Sequence, residues 1–308
     1  MNLHTPVLIG KILENLPNKS KLNIFDGTFG GGGYSREFLS GGHIVYACDW
    51  DGEAVKNEKL VENNNQQVEQ NLHLSHSSFA ENIQTFEEDF FDLIVLDLGY
   101  SSNQLEFSNR GFSYQKGEEV LDLRYDIAAG HACWDKIKNL KRPEEFFKTI
   151  YKYSGESFSP AIAKVLLSLV RSKTNTKPEI RVFEVVEEIK KVIPKKLTKK
   201  LNAILSRTWQ ALRIWTNDEF SQLEIFLPES VKKLKSKGLL MVVGFHSLED
   251  KIVAGFMRDE ARVVEISEFG DKAKYYNLLT PKAITPDEEE VTQNPRSRSG
   301  LLRILEKI

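Results

Sequence analysis

The sequence predicts an α/β fold, a doubly wound parallel sheet interrupted by an all-helical insert. Three observations carry that prediction. Short apolar runs alternate with helical patterns through the first third of the chain, a run of glycines follows the first apolar run, and a long stretch of helical periodicity precedes a last set of apolar runs.

Taken in order, Lys21–Phe25, His43–Cys48, Asn71–His76 and Phe91–Leu96 are short, apolar or β-branched, and bounded by Gly, Asp or Ser. That is the pattern of parallel strands covered on both faces. Helical patterns at Tyr34–Leu39, Glu53–Asn63 and Phe79–Phe86 lie between them, which implies right-handed crossovers. After Asp97 comes a polar, Gly-bearing loop, Leu98–Asp126, of a length usually reserved for functional or mobile segments. From about Pro143 to Leu227 the period is helical, clearest in Pro160–Val170 and Trp209–Leu227. The sheet resumes with Leu239–Phe245, a helix from Leu248 to about Met257 with Ser247 as its expected N-cap, and a terminal strand at Leu301–Leu305.

The chain has 308 residues, 41% hydrophobic and 28% charged, enough for one large α/β domain carrying a smaller insertion. It shows neither a basic start leading into an apolar run nor an apolar stretch of membrane-spanning length, so the expected location is cytoplasmic. Cys48 and Cys133 are too few for a disulfide framework or a zinc cluster and read as small hydrophobic fillers, and no metal site is expected. A formal charge of −2 gives no global attraction to nucleic acid. Any such site must be a local patch, and Lys190–Arg213 is one, with eight basic residues and no acidic one.

The stretch FDGTFGGGGY, Phe25–Tyr34, closes the first strand. Glycine leaves no Cβ in the way, so a ligand can touch the backbone at the carboxyl end of the sheet. A mononucleotide P-loop would end in Gly-Lys-Ser/Thr, and these glycines run into Tyr34-Ser35. A dinucleotide fingerprint fits Gly30 and Gly32, but its third glycine falls on Ser35. The methyl donor S-adenosylmethionine is the third possibility, held by Asp26, the glycine turn and a second acid, Asp49, placed to accept ribose hydroxyls. Asp51 fits a helix N-cap better than Asp49 does. At the end of the fourth strand stands DLGYSS, Asp97–Ser102, where enzymes methylating exocyclic amines place an acid that orients the target nitrogen.

HTPVL, DGTFGGGGYS, LDLGYSSNQLEFSNRGFSY, LDLRYD, TWQALRIWTNDE, GFHSLEDKIV and NPRSRSGLLRI occur together and in order. With them the chain resembles the bacterial RsmH (MraW) family, which methylates N4 of one cytidine in small-subunit (16S) ribosomal RNA with S-adenosylmethionine. The resemblance implies a class I (Rossmann-like) methyltransferase domain over 1–122 and 211–308, and a helical, RNA-facing insert over 123–210. It places the donor on Gly32, Gly33 and Tyr34, on Asp49, on Phe79 packed against the adenine, and on Asp97 and Gln104. Asp26 and Gly30 join them from the reading of the glycine turn. Asp97, Ser101 and His246 are the expected catalytic residues, His246 in a substrate-positioning role. Arg110, Arg124, Arg213, Arg296 and Arg298 match positions toward the RNA, as do Asp122, Glu249 and Asp250, and Tyr100 could stack on a flipped base.

Several positions depart from the family pattern. Tyr34 stands where the glycine turn commonly has His, Tyr100 where a small aliphatic is usual, Gly244 replaces Ser in Ser-Phe-His, and Lys251 replaces Arg. Three other functions stay open at this stage. They are an NAD-linked oxidoreductase, disfavoured by Ser35, a methyltransferase on another nucleic-acid amine, and a non-catalytic RNA-binding or ribosome assembly factor that keeps the fold.

Overall fold

The computed structural model describes residues 5–56, 70–173, 179–265 and 272–308. The greater part of the helix expected at Glu53–Asn63 lies outside the described residues. The chain forms two compact units, residues 1–101 with 220–308, and residues 102–219.

The first unit is built on a seven-stranded sheet. Its strands are β1 (Asn23–Asp26), β2 (Ile44–Asp49), β3 (Leu72–His76), β4 (Phe91–Asp97), β5 (Leu234–Gly244), β8 (Tyr276–Leu278) and β9 (Leu301–Lys307), while β6 (Val264–Glu265) and β7 (Lys272–Ala273) pair separately. The order is β3-β2-β1-β4-β5-β9-β8. β1 to β5 run parallel, β9 is antiparallel to β5, and β8 antiparallel to β9. The order reverses between β1 and β4, the topological switch point at which open α/β sheets bind ligands.

Alternate side chains of the central strands feed two cores. Ile24, Leu93, Val95, Leu239, Met241 and Val243 pack on one face. Phe25, Ile94, Leu96, Leu240 and Val242 pack on the other. This period of two with both faces apolar is why the strands read as continuous hydrophobic runs. Phe25 anchors the second face through edge contacts with Phe86 and Phe91 and a stacked contact with Phe226.

The sequence correctly placed six strands, missed the short β8, and did not foresee that β9 returns antiparallel. The pattern Trp209–Leu227 is two helices, Leu201–Asn217 and Glu219–Lys233, broken at Asp218 in the left-handed region (φ 52°). Apolar periodicity passes across such a corner without interruption, so it does not register the break. The N-cap of the helix Ser247–Glu260 is His246, whose Nδ1 accepts from the Glu249 amide at 3.3 Å, not the expected Ser247. A ring nitrogen serves as well as a hydroxyl once the backbone before the helix is extended. Asp51 caps the short helix Gly52–Val55, as expected.

In the second unit the main helices are Cys133–Lys138, Pro143–Ser154, Ser159–Lys173, Val182–Val192 and Leu201–Asn217. The polar loop after Asp97 is largely built into this unit. Trp209 Nε1 donates to Gly111 O at 2.8 Å, and the Gly111 amide donates to Glu119. Asn217 is its buried hub, accepting from the Tyr125 amide and donating to the Leu123 carbonyl, each at 2.8 Å. Asn217→Leu leaves both groups buried and unpaired, and is expected to cost about 2–3 kcal/mol in chemical denaturation. A loss within about 0.5 kcal/mol would mean the loop is held by other contacts.

Candidate active site

The carboxyl ends of β1, β2 and β4 bring three carboxylates together, Asp26, Asp49 and Asp97. Asp26 is fully buried and holds the glycine turn from beneath, its Oδ2 accepting from Ser35 Oγ at 2.7 Å and its Oδ1 from the Thr28 amide at 3.2 Å. Asp49 closes the turn from the side. Its Oδ2 accepts from the Gly30 amide at 2.7 Å and its Oδ1 from the Asp51 amide at 2.8 Å. Each Asp49 oxygen keeps a further lone pair, so a ribose hydroxyl can still be accepted.

Thr28 links the turn to β4, its Oγ1 accepting from the Asp97 amide at 2.7 Å. Sequence reasoning passed over Thr28 and weighed Ser35 only as the residue in place of a third glycine. The only local signal was a hydroxyl beside each end of the turn. The Asp97 side chain differs from the other two, because its Oδ1 is buried without a hydrogen-bond partner among the described residues. An orphaned buried carboxylate oxygen is costly and calls for an explanation such as an ordered water, an ion or a ligand.

Burial pushes both Asp26 and Asp49 up to about 6, against the hydrogen bonds that favour their charged forms. Asp97 is raised well above the usual carboxylate range, first by burial, then by the like charges of Asp26 and Glu249. Such a cluster gains from any cation placed against it.

The turn itself leaves room. Gly32 is the N-cap of the helix Gly33–Ser40 at φ 71°, a conformation few other residues adopt without strain. At Gly31 an added Cβ would meet no protein atom within 4 Å. That space leaves the backbone of the turn open to a ligand.

The remaining candidates divide. Ser101, half-buried, stands close to Gly30, whose added Cβ would lie 3.5 Å from Ser101 Cβ. Phe79 follows β3, half-buried, with its ring edge-on to Phe226 at 5.2 Å. Tyr100 is exposed. Tyr34 does not turn its hydroxyl toward the glycine turn. Its ring is buried in the core and its hydroxyl donates to Val7 O, so only its backbone belongs to the turn.

His246 follows β5 and sits 2.8 Å from Glu249 through Nε2, near enough for an ion pair when protonated but not aligned as a hydrogen bond. Buried Glu249 accepts from the Phe245 amide at 2.9 Å. Gly244 has only ordinary contact space toward Glu249, and Lys251 is exposed.

In the second unit Gln104 is buried. Arg110, also buried, donates to the Arg124 and Tyr125 carbonyls at 3.1 and 2.7 Å. Arg124 forms a fork on Asp122 at 2.7 and 2.8 Å, and Arg213 another on Glu219 at 2.8 and 3.0 Å. The planar guanidinium that suits phosphate suits carboxylates and carbonyls equally, so these three arginines brace their own unit. Arg296 and Arg298 are exposed, as are Lys195, Lys196, Lys199 and Lys200 in the basic stretch. Within that stretch Lys190 and Lys191 pair with Glu187 and Glu188, and Arg207 pairs with Glu156.

The family model of the MraW methylase family matches residues 1–308. The chain belongs to the MraW methylase family. Curated relatives include a ribosomal RNA small subunit methyltransferase H of Rickettsia prowazekii, 33% identical over 99% of this chain and 98% of its own length. One from Caldicellulosiruptor saccharolyticus is 34% identical over 99% of each. Among solved structures, an rRNA methylase from Streptococcus thermophilus aligns over 97% of this chain and 93% of its own at 12% identity and a TM-score of 0.39. For an MraW methylase, acids around a glycine turn at the sheet's switch point are where a methyl donor is expected.

An acid whose pKa is raised by folding binds its proton more tightly folded than unfolded. Its contribution to stability therefore falls as pH rises from the ordinary 3.8 through about 6. Asp26→Asn removes that penalty, so in ligand-free protein the variant should gain on the parent by up to about 3 kcal/mol between pH ~4 and ~7. Denaturation across that range checks it, and a difference independent of pH would contradict the raised pKa.

Proposed function

We propose that this protein transfers a methyl group from S-adenosylmethionine to the exocyclic N4 amine of a cytidine in small-subunit (16S) ribosomal RNA. The observation that carries the reading is Asp97, with its buried unpartnered oxygen at the end of β4 and tied through its amide to the glycine turn, in a chain of the methylase family. The names of the curated relatives support the substrate class.

When bound, S-adenosylmethionine supplies an electrophilic methyl group on a cationic sulfonium. The backbone of Gly30–Gly33 would hold it, with Asp49 on the ribose and Phe79 beside the base. Asp97 does the orienting. Its free oxygen accepts a hydrogen bond from the target amine and turns the nitrogen lone pair toward the methyl, which is most of what an in-line transfer requires.

The raised pKa of Asp97 has a consequence for the same step. An ionised carboxylate is disfavoured there until a cation stands beside it, which the sulfonium would supply as the donor binds and Asp97 releases its proton to solvent, so the ionised group then stabilises the positive charge as it passes to the amine. Once ionised, Asp97 can also receive the proton the amine must then lose. His246 and Glu249 form the adjacent wall, Leu98 and Val243 being joined across the two strands at 2.9 Å. His246 acts there as a positioning group.

In this proposal the helical insert, with the exposed lysines Lys195, Lys196, Lys199 and Lys200, faces RNA through phosphate contacts, and Arg296 and Arg298 do so from the first unit. The structured small subunit is the proposed partner.

Two outcomes are expected. Labelled S-adenosylmethionine with small subunits lacking the modification should place label in N4-methylcytidine at one site, as read by nucleoside analysis. Label in another nucleoside would move the substrate assignment. Asp97→Ala should lower transfer about 10²- to 10³-fold while donor binding by calorimetry is largely kept. Unchanged turnover in that variant would remove Asp97 from the mechanism.

A further inference from the structure

The four residues Thr5–Leu8 touch both the glycine turn and the far end of the chain. On one side, Tyr34, the second residue of the helix after the glycines, donates its hydroxyl to Val7 O. Pro6 lies so near Gly33 that an added Cβ there would come within 2.7 Å of its Cγ. On the other side, the Leu8 amide donates to Glu290 Oε1 at 2.6 Å, and Asn294 Nδ2 donates to Thr5 O at 3.1 Å. An added Cβ on Gly300 would meet Val7 Cγ1 at 2.8 Å.

These contacts make Thr5–Leu8 a strap between two pieces that the sequence separates by more than 250 residues. The C-terminal piece is itself tightly wound. Asp287 caps the helix Glu288–Gln293, Asn294 receives the Ser297 amide and hydroxyl, and the turn Pro295–Ser299 displays Arg296 and Arg298 outward.

The strap is also held under strain. Leu8 sits at φ 56°, a left-handed conformation unfavourable for a branched aliphatic residue. Its side chain is buried in the same core as Val7, Tyr34 and Phe38, which with the Glu290 bond keeps it there. Strain of this kind persists only where surrounding contacts over-determine the backbone.

We infer that Tyr34 and Glu290 are positioning residues for the donor site, acting through the Thr5–Leu8 strap to fix the glycine turn and to join it to the Arg296/Arg298 turn. The inference rests on the reading of the glycine turn as the donor site. Tyr34 replaces the turn's commoner His without facing the ligand, because its task is to reach Val7. Glu290, on a helix far along the chain, acts on the turn only through Leu8.

Calorimetry with S-adenosylhomocysteine tests this on the full chain. Tyr34→Phe removes one hydroxyl and leaves the ring in the core, and Glu290→Ala removes the acceptor for Leu8. Each is expected to raise Kd about fivefold, the scale of one net hydrogen bond. Their double variant should lose less than the product of the two, since both act through one strap. Glu290→Gln, which keeps an acceptor oxygen, should restore tight binding, and Glu288→Gln on the same helix should leave Kd unmoved.

Wild-type Kd in both Tyr34→Phe and Glu290→Ala, even with lowered melting temperatures, would show that the strap is structural only and overturn the inference. Should Glu290→Ala fail to fold, Tyr34→Phe alone decides. A wild-type chain that does not bind S-adenosylhomocysteine would overturn the donor-site reading, and this inference with it.

Discussion

The site depends on the burial of three carboxylates at the ends of adjacent parallel strands. Asp26, Asp49 and Asp97 stand where β1, β2 and β4 finish, and parallel pairing of β1 with both neighbours fixes their spacing. Two of them spend hydrogen-bonding capacity on the backbone of the turn, which gives the glycines a defined path. The third is left unsatisfied. A protein selected for stability alone would have neutralised or replaced that group, because an unpaired buried acid opposes folding. Under the proposed function, this is a position at which stability is exchanged for activity.

The carboxyl edge and its acids were legible in the sequence for a simple reason. Runs such as Phe91–Leu96 must be apolar on both faces to sit inside a covered sheet, and an acid directly after such a run has few places to be except the strand end. Direction was not legible. Leu301–Leu305 has the apolar character of any inner strand, and nothing local distinguishes the antiparallel return of β9 from a parallel crossover. The short β8 is half-buried at the sheet edge, where pairing with β9 defines it more than its own composition does.

Side-chain commitment was the other thing the sequence withheld. Arg110, Arg124 and Arg213 have the same residue type as Arg296 and Arg298, yet the first three are buried or half-buried against carbonyls and carboxylates of their own unit while the last two are exposed on a tight turn. A motif says that an arginine stands at a position. Whether its fork is spent internally depends on neighbours such as Asp122 and Glu219, which only folding brings near. Tyr34 illustrates the same point in reverse, since its place beside the glycines implied a ligand contact and its ring was needed in the core.

The pairing of a raised acid with an amine substrate has an internal logic. A cytidine N4 amine is a weak nucleophile whose lone pair is drawn into the ring, and it becomes a strong acid only once the methyl has begun to transfer. A carboxylate already ionised and solvated would bind the ground state and the transition state about equally, which does not speed the step. In the proposed reaction, one held in a buried cluster beside Asp26 and Glu249 is poorly solvated, so it would interact more strongly as positive charge passes from the sulfonium to the nitrogen it touches. The burial that makes Asp97 expensive to the fold would, in that proposal, also make its effect differential.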